Sequence, residues 1–254
     1  MPDSSFSDAL IDRLVQAQHV AVLTGAGASA ESGIPTFRDP DGLWEQFEPQ
    51  ELANVEAFLD NPALVQGWYA HRQSIASEAA PNAAHEALAQ LEQCIDTFAL
   101  ITQNVDNLHQ RAGSERVIEL HGNITRTHCI DCERPATEDE LDALAGGDPA
   151  QCPACGGYIR PDVVWFGEML PQDALRDAQE AATRADVFLS VGTSAIVQPA
   201  AGLPLTAQQH GAYLVEVNVD ETAITQEADE VLRGKAGAIL PPLVEVIAAH
   251  RSPA

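Results

Sequence analysis

Basic residues are scarce in this chain of 254 residues: 13 lysines and arginines stand against 38 acids, for a net charge of −25. Lys235 is the sole lysine. So few cations exclude nucleic-acid binding through a basic surface. No apolar run reaches the roughly 18 residues of a membrane-spanning helix. Met1-Pro2-Asp3-Ser4-Ser5 lacks the basic and apolar regions of a signal peptide, and a cytoplasmic location is expected. Five cysteines are too few, and too patterned, for a disulfide scaffold. The chain has neither an internal repeat nor a low-complexity run.

The acids are spread along the chain rather than gathered in a tail. An acidic face for a partner would not need them everywhere. A lysine-poor, strongly charged surface adapted to a salty cytoplasm accounts for them better. In molar salt the Debye length is about 3 Å, so steering of basic substrates would be weak there.

With 45% hydrophobic residues the chain has material for a sizeable core. Apolar runs at 19–24, 98–102, 117–120, 187–191 and 213–219 read as strands. Amphipathic or short helices are expected at 7–18, 82–94 and 106–111, and residues 40–80 read as helical and loop-rich. Strands separated by helices predict an α/β fold, a parallel sheet covered on both faces. Between about 124 and 160, cysteines, prolines and Gly146-Gly147 replace the periodicity, which predicts a small insert. The expected division is a main domain of residues 1–123 and 161–254 with an inserted module at 124–160.

Within the insert, Cys129-x2-Cys132 and Cys152-x2-Cys155 are separated by nineteen residues. Each pair places two thiolates on a tight turn, and two such knuckles complete a tetrahedron around zinc. Four thiolates leave no open position for water, so the metal would be structural. Cys94, on an apolar helix face, reads as core.

Gly25-x-Gly27-x-x-Ala30 follows the first strand and fits a Rossmann-like turn that brings backbone close to a pyrophosphate. Ile34-Pro35 then breaks any helix, and Phe37-Arg38-Asp39 sets an aromatic, a cation and an acid in a loop. The ribose-binding acid of an ordinary dehydrogenase lies about 20 residues after the glycines. Here the nearby candidate, Glu45, follows no strand. At a second strand end, Gln103-Asn104-Val105-Asp106 is suited either to helix capping by Asn104 or to a ligand in the crevice beyond parallel strands. His109 reads as structural. His121, in Glu119-Leu120-His121-Gly122-Asn123, is either a buried core histidine or a proton acceptor.

Together these motifs resemble the sirtuin family of NAD-dependent protein-lysine deacylases, over about residues 8–248. The resemblance implies NAD contacts from Gly25, Ala26, Gly27, Ala28, Ser29 and Ala30, from Pro35, Phe37, Arg38 and Trp44, and from Gln103, Asn104, Val105 and Asp106. It adds Gly192-Thr193-Ser194, Asn218-Val219-Asp220 and Ala236. It makes His121 the general base, and it implies release of nicotinamide and O-acyl-ADP-ribose. Within 160–168, Val164, Phe166 and Gly167 would bind the acyl-lysine substrate. Tyr69 and Arg72, three apart on a helix, match the pair that holds the acyl carboxylate in class III members, which implies desuccinylase and demalonylase activity beside deacetylation. Two other functions share these motifs: mono-ADP-ribosyl transfer on the same fold, and NAD sensing by a zinc-bearing module without turnover.

Overall fold

The computed structural model describes residues 6–35, 49–137 and 149–251. Its centre is a six-stranded parallel sheet in the order β3-β2-β1-β6-β7-β8. The strands are β1 (His19–Thr24), β2 (Thr97–Thr102), β3 (Val117–Glu119), β6 (Val187–Val191), β7 (Tyr213–Asn218) and β8 (Glu230–Arg233). The chain runs outward from β1 to β3, then returns to lay β6 on the other side of β1. That reversal opens a crevice beyond the carboxyl ends of β1 and β6.

Alternation along the strands feeds two cores. Val20, Val22, Leu100, Leu189 and Val215 face α1 (Asp8–Gln16), α6 (Ala83–Cys94) and α10 (Ala236–Arg251), against Leu14, Leu88, Leu91, Leu240 and Ile247. Ala21, Leu23, Ile101, Phe188 and Leu214 face α8 (Gln172–Arg184) and α9 (Leu203–Gln209), against Ala178, Ala182 and Leu203. Burial on both faces is why these strands read as unbroken apolar runs.

A third core joins α4 (Val55–Asp60) and α5 (Pro62–Glu78) to an antiparallel ribbon of β4 (Gly122–Cys129) and β5 (Ile159–Val163). Phe58, Val65, Tyr69, Ile124, Val163 and Trp165 fill it. The short helices α2 (Ala26–Ser29), α3 (Pro49–Leu52) and α7 (Leu108–Arg111) complete the described elements used below. Cys94 ends α6 half-buried rather than enclosed, because it lies at the helix's last turn.

Candidate active site

Two glycine turns interlock at the point where the strand order reverses. Gly27 N–H donates to Gly192 O at 2.8 Å, and Gly25 N–H donates to Val191 O at 3.1 Å. A Cβ on Gly27 would lie 2.8 Å from Gly192 Cα and O, and one on Gly25 would lie 2.8 Å from Thr193 Cβ. The glycines of the Gly25–Ala30 turn are therefore needed for backbone-on-backbone packing. With Gly25, Gly27 and Ala28 amides already bonded to protein carbonyls, the segment meets a ligand through the rest of the turn.

The 103–106 segment stands beside this turn. Asn104 Nδ2 donates to Gly25 O and to Ser29 Oγ, both at 3.0 Å. Helix capping is not its role: Leu108 N–H, at the head of α7, bonds Asp106 Oδ1 at 2.9 Å. Gln103 Nε2 donates to Thr193 Oγ1 at 2.9 Å, and Asn218 Nδ2 donates to Thr193 O at 2.9 Å. Residues from the ends of β1, β2, β6 and β7 are thus tied into one polar rim.

Behind the rim lies a histidine that sequence reasoning missed. Asn82 N–H donates to His85 Nδ1 at 3.2 Å in a capping box at the start of α6. The proton therefore sits on Nε2, which faces Ser29 Oγ at 3.3 Å. Ser29 Oγ–H donates to Asp106 Oδ2 at 2.7 Å. Burial lowers the His85 pKa, with the Asp106 charge opposing. The asparagine three residues before His85 signals the cap, but nothing local signals Ser29, 56 positions away. His109 is structural, as expected: it is 1% exposed, its Nε2 is 2.9 Å from Thr24 Oγ1, and its ring centroid is 4.7 Å from that of His85. Burial, then the neighbouring His85, push its pKa down to about 3.

His121 occupies the corner between β3 and β4. Its Nδ1 is 3.0 Å from Gln103 O. A carbonyl only accepts, so Nδ1 carries the proton and Nε2 keeps a lone pair. Burial lowers the His121 pKa, and the Gln103 carbonyl partly opposes it. The side chain is a neutral base near pH 7, and Nε2 makes no hydrogen bond among the described residues.

A crevice of amides, hydroxyls and one buried carboxylate at a sheet's reversal point suits the ribose hydroxyls of a dinucleotide. Comparison with known proteins decides the family. The Sir2 family model matches residues 25–199. The chain belongs to the Sir2 family. NAD-dependent protein deacylase 2 of Pyrobaculum aerophilum is 52% identical over 236 residues, spanning 93% of this chain and 94% of its own. NAD-dependent protein deacylase 1 of Archaeoglobus fulgidus is 49% identical, spanning 92% and 95%. A Sir2 homologue solved as its NAD complex superposes with a TM-score of 0.91 at 46% identity, covering 97% of this chain and 96% of that one. A Sir2 homologue mutant solved with 2′-O-acetyl ADP ribose also gives 0.91 at 46%, covering 98% and 99%.

The other residues expected of this Sir2 chain lie as follows. Val219 is 56% exposed after β7, with Asp220 beside it, and Ala236 opens α10. Val105 follows Asn104, and its N-terminal neighbours carry the contacts above. Ala26 and Ala28 lie in α2, Ala30 in the following turn, Pro35 just beyond, and Ser194 after Thr193. Phe37, Arg38, Trp44 and Glu45 lie outside the described residues, as do residues 138–148 of the expected insert.

After β5, Val164 N–H bonds His121 O at 2.9 Å, and Phe166 is 46% exposed with Gly167 next to it. Trp165 points inward and donates Nε1–H to Tyr69 Oη at 2.8 Å. Burial pushes Tyr69 up to about 12, so it stays a neutral phenol. The Arg72 guanidinium lies 4.7 Å from the Trp68 ring centre and 5.9 Å from that of Tyr69. Burial lowers the Arg72 pKa.

The four cysteines converge as their spacing requires. Cys129 Sγ is 3.4 Å from Cys155 Sγ, Cys132 Sγ is 3.7 Å from Cys152 Sγ, and all four lie within 4.8 Å of one another. Four thiolates at about 2.3 Å from zinc stand roughly 3.8 Å apart, so the cluster fits that ion. A Cβ on Gly157 would lie 2.9 Å from Cys129 Sγ, which explains the glycine after the second knuckle.

Proposed function

We infer that the chain is an NAD-dependent protein-lysine deacylase. The observation that carries this is the single tautomer of His121, which leaves Nε2 as a proton acceptor at the corner beside Gln103, Asn104 and Asp106. Bound NAD would supply the ADP-ribosyl acceptor of the acyl group and nicotinamide as leaving group. Gln103, Asn104 and Asp106 orient the ribose and the carboxamide, which supplies proximity. His121 Nε2 would accept the proton of a ribose hydroxyl. Asn218, Val219, Asp220 and Ala236 serve the adenosine end, and Gly192, Thr193, Ser194, Phe37, Arg38 and Trp44 complete the proposed NAD contacts.

Val164, Phe166 and Gly167 hold the acyl-lysine. Tyr69 would donate to, and Arg72 pair with, the terminal carboxylate of a succinyl or malonyl group, as in a class III member. The Trp165 bond supports this, because it uses a Tyr69 lone pair and leaves the phenolic proton to donate. Cys129, Cys132, Cys152 and Cys155 hold one structural zinc within an inserted module at 124–160. The dispersed acids support life in concentrated salt, in the cytoplasm.

The test is mass spectrometry of acetyl-, succinyl- and malonyl-lysine peptides incubated with the chain and NAD. Free lysine, nicotinamide and O-acyl-ADP-ribose are expected in equal amounts. Nicotinamide release without an acyl-ADP-ribose product would replace this reading with ADP-ribosyl transfer. An absence of any product would leave a sensing module.

A further inference from the structure

Glu119 ends β3 two residues before His121, and its carboxylate collects donors from three directions. Oε1 accepts from Gln110 Nε2 on α7 at 2.7 Å and from Asn123 Nδ2 on β4 at 2.6 Å. Oε2 accepts from Arg126 Nη2 at 2.6 Å. Arg126 in turn donates Nε–H to Asp162 Oδ2 on β5 at 2.7 Å.

Asn123, 2% exposed, shares Nδ2 with Asn107 Oδ1 at 3.0 Å, and its Oδ1 accepts from Thr125 N and Oγ1. Asn107 is left-handed, with φ 63°, and follows Asp106 directly. One carboxylate therefore links α7, the segment after Asp106 and both strands of the ribbon. These are the pieces that flank the His121 corner. Two main-chain bonds tie the corner to those same pieces: Leu120 N–H bonds Thr102 O at 3.0 Å, and His121 O accepts from Val164, just after β5. Gly122, at φ 78°, has no room for a Cβ against the Asp162 carbonyl.

Only an acceptor on both oxygens satisfies these donors at once. A glutamine would turn an NH2 toward one of them. We propose that Glu119 is a positioning residue for His121, fixing the β3–β4 corner so that Nε2 reaches its proton. The proposal rests on His121 being the base. In that reading nicotinamide leaves before His121 acts, so exchange of labelled nicotinamide into NAD does not depend on where Nε2 stands.

The experiment measures net deacylation and nicotinamide exchange for Glu119→Gln in the zinc-bearing full chain. Net kcat is expected to fall about tenfold, since small misplacements cost that much or more. KM for peptide and for NAD, and the exchange rate, should stay within about twofold. Equal losses in both reactions would reduce Glu119 to support of the fold, and no loss in either would also overturn the proposal. Should Glu119→Gln fail to fold, Gln110→Met removes one donor and keeps every charge. A two- to threefold loss confined to net deacylation is expected of it, and wild-type behaviour would overturn the proposal. His121→Tyr is run alongside. If it retains net deacylation, the base assignment fails. If it is inactive while the Glu119 variant is unimpaired, only the role of Glu119 fails.

Discussion

His121 Nδ1 lies 3.0 Å from the main-chain oxygen of Gln103, so the residue before Asn104 also sets the protonation pattern of the base. A main-chain carbonyl keeps this arrangement at every pH, whereas a carboxylate partner would titrate.

Net deacylation should rise with pH through a midpoint below 6.5, because burial holds His121 under its ordinary value. The active form is the neutral one, so activity is lost as pH falls through the midpoint. His121→Tyr should fold like the wild type but lose a hundredfold or more in kcat. A pH–rate profile with its midpoint above 7 would contradict the assignment, as would near-normal turnover in the variant.

One zinc per chain is expected by metal analysis of the purified protein. Cys152→Ser breaks the tetrahedron from a buried position and should lower both zinc content and Tm, since structural zinc contributes folding free energy directly. Folded, active wild-type protein free of zinc would refute the site.

Arg72→Met keeps apolar bulk beside Trp68 and deletes the charge. Turnover of succinyl-lysine should drop by about tenfold to a hundredfold, within the cost of stranding a carboxylate without its cation. Acetyl-lysine has no such carboxylate and should change much less. Both peptides are to be compared at one salt concentration, because ion pairs are screened. Equal losses would assign Arg72 to the fold. Unchanged succinyl-lysine turnover would remove it from acyl recognition.

His109 ties stability to acid. Its pKa is about 3 in the fold against 6.5 ordinarily, so between those values the unfolded chain binds a proton that the folded chain refuses. Stability is full above about pH 6.5 and falls as pH drops toward 3. From this residue alone the loss by pH 4 is roughly 3 kcal/mol. Urea titrations at pH 7 and pH 4 should show His109→Gln losing less than the wild type. Parallel losses in the two proteins would count against a buried neutral His109.

Strand β1 is legible in the sequence because both its faces are buried, and it spans His19–Thr24 as read. The sheet and the placing of Gln103, Asn104 and Asp106 at a strand end follow from similar runs. Helix α10 is harder to read, since Pro241 and Pro242 lie inside it, where proline normally interrupts a helix. Helix α8 carries a readable pattern: Leu175, Ala178, Ala181 and Ala182 recur at helical spacing on the face that meets the second core. Within the site, the partners that take Asn104 away from helix capping are Ser29 and Gly25. Those partners lie 75 and 79 positions away. The Ser29–His85 link is hidden in the same way, because hydrogen bonds across a sheet leave no spacing pattern.

The interlock of Gly27 with Gly192 limits how this crevice can be redesigned. A methyl group on Gly27 would meet Gly192, and one on Gly192 would meet Ala28 and Gly27. The two turns fit like a tongue in a slot, so neither can be enlarged without recutting the other. Laboratory selection for a different dinucleotide should therefore leave both glycines in place and accumulate its changes around Asn218, Val219 and Asp220, where the rim is open.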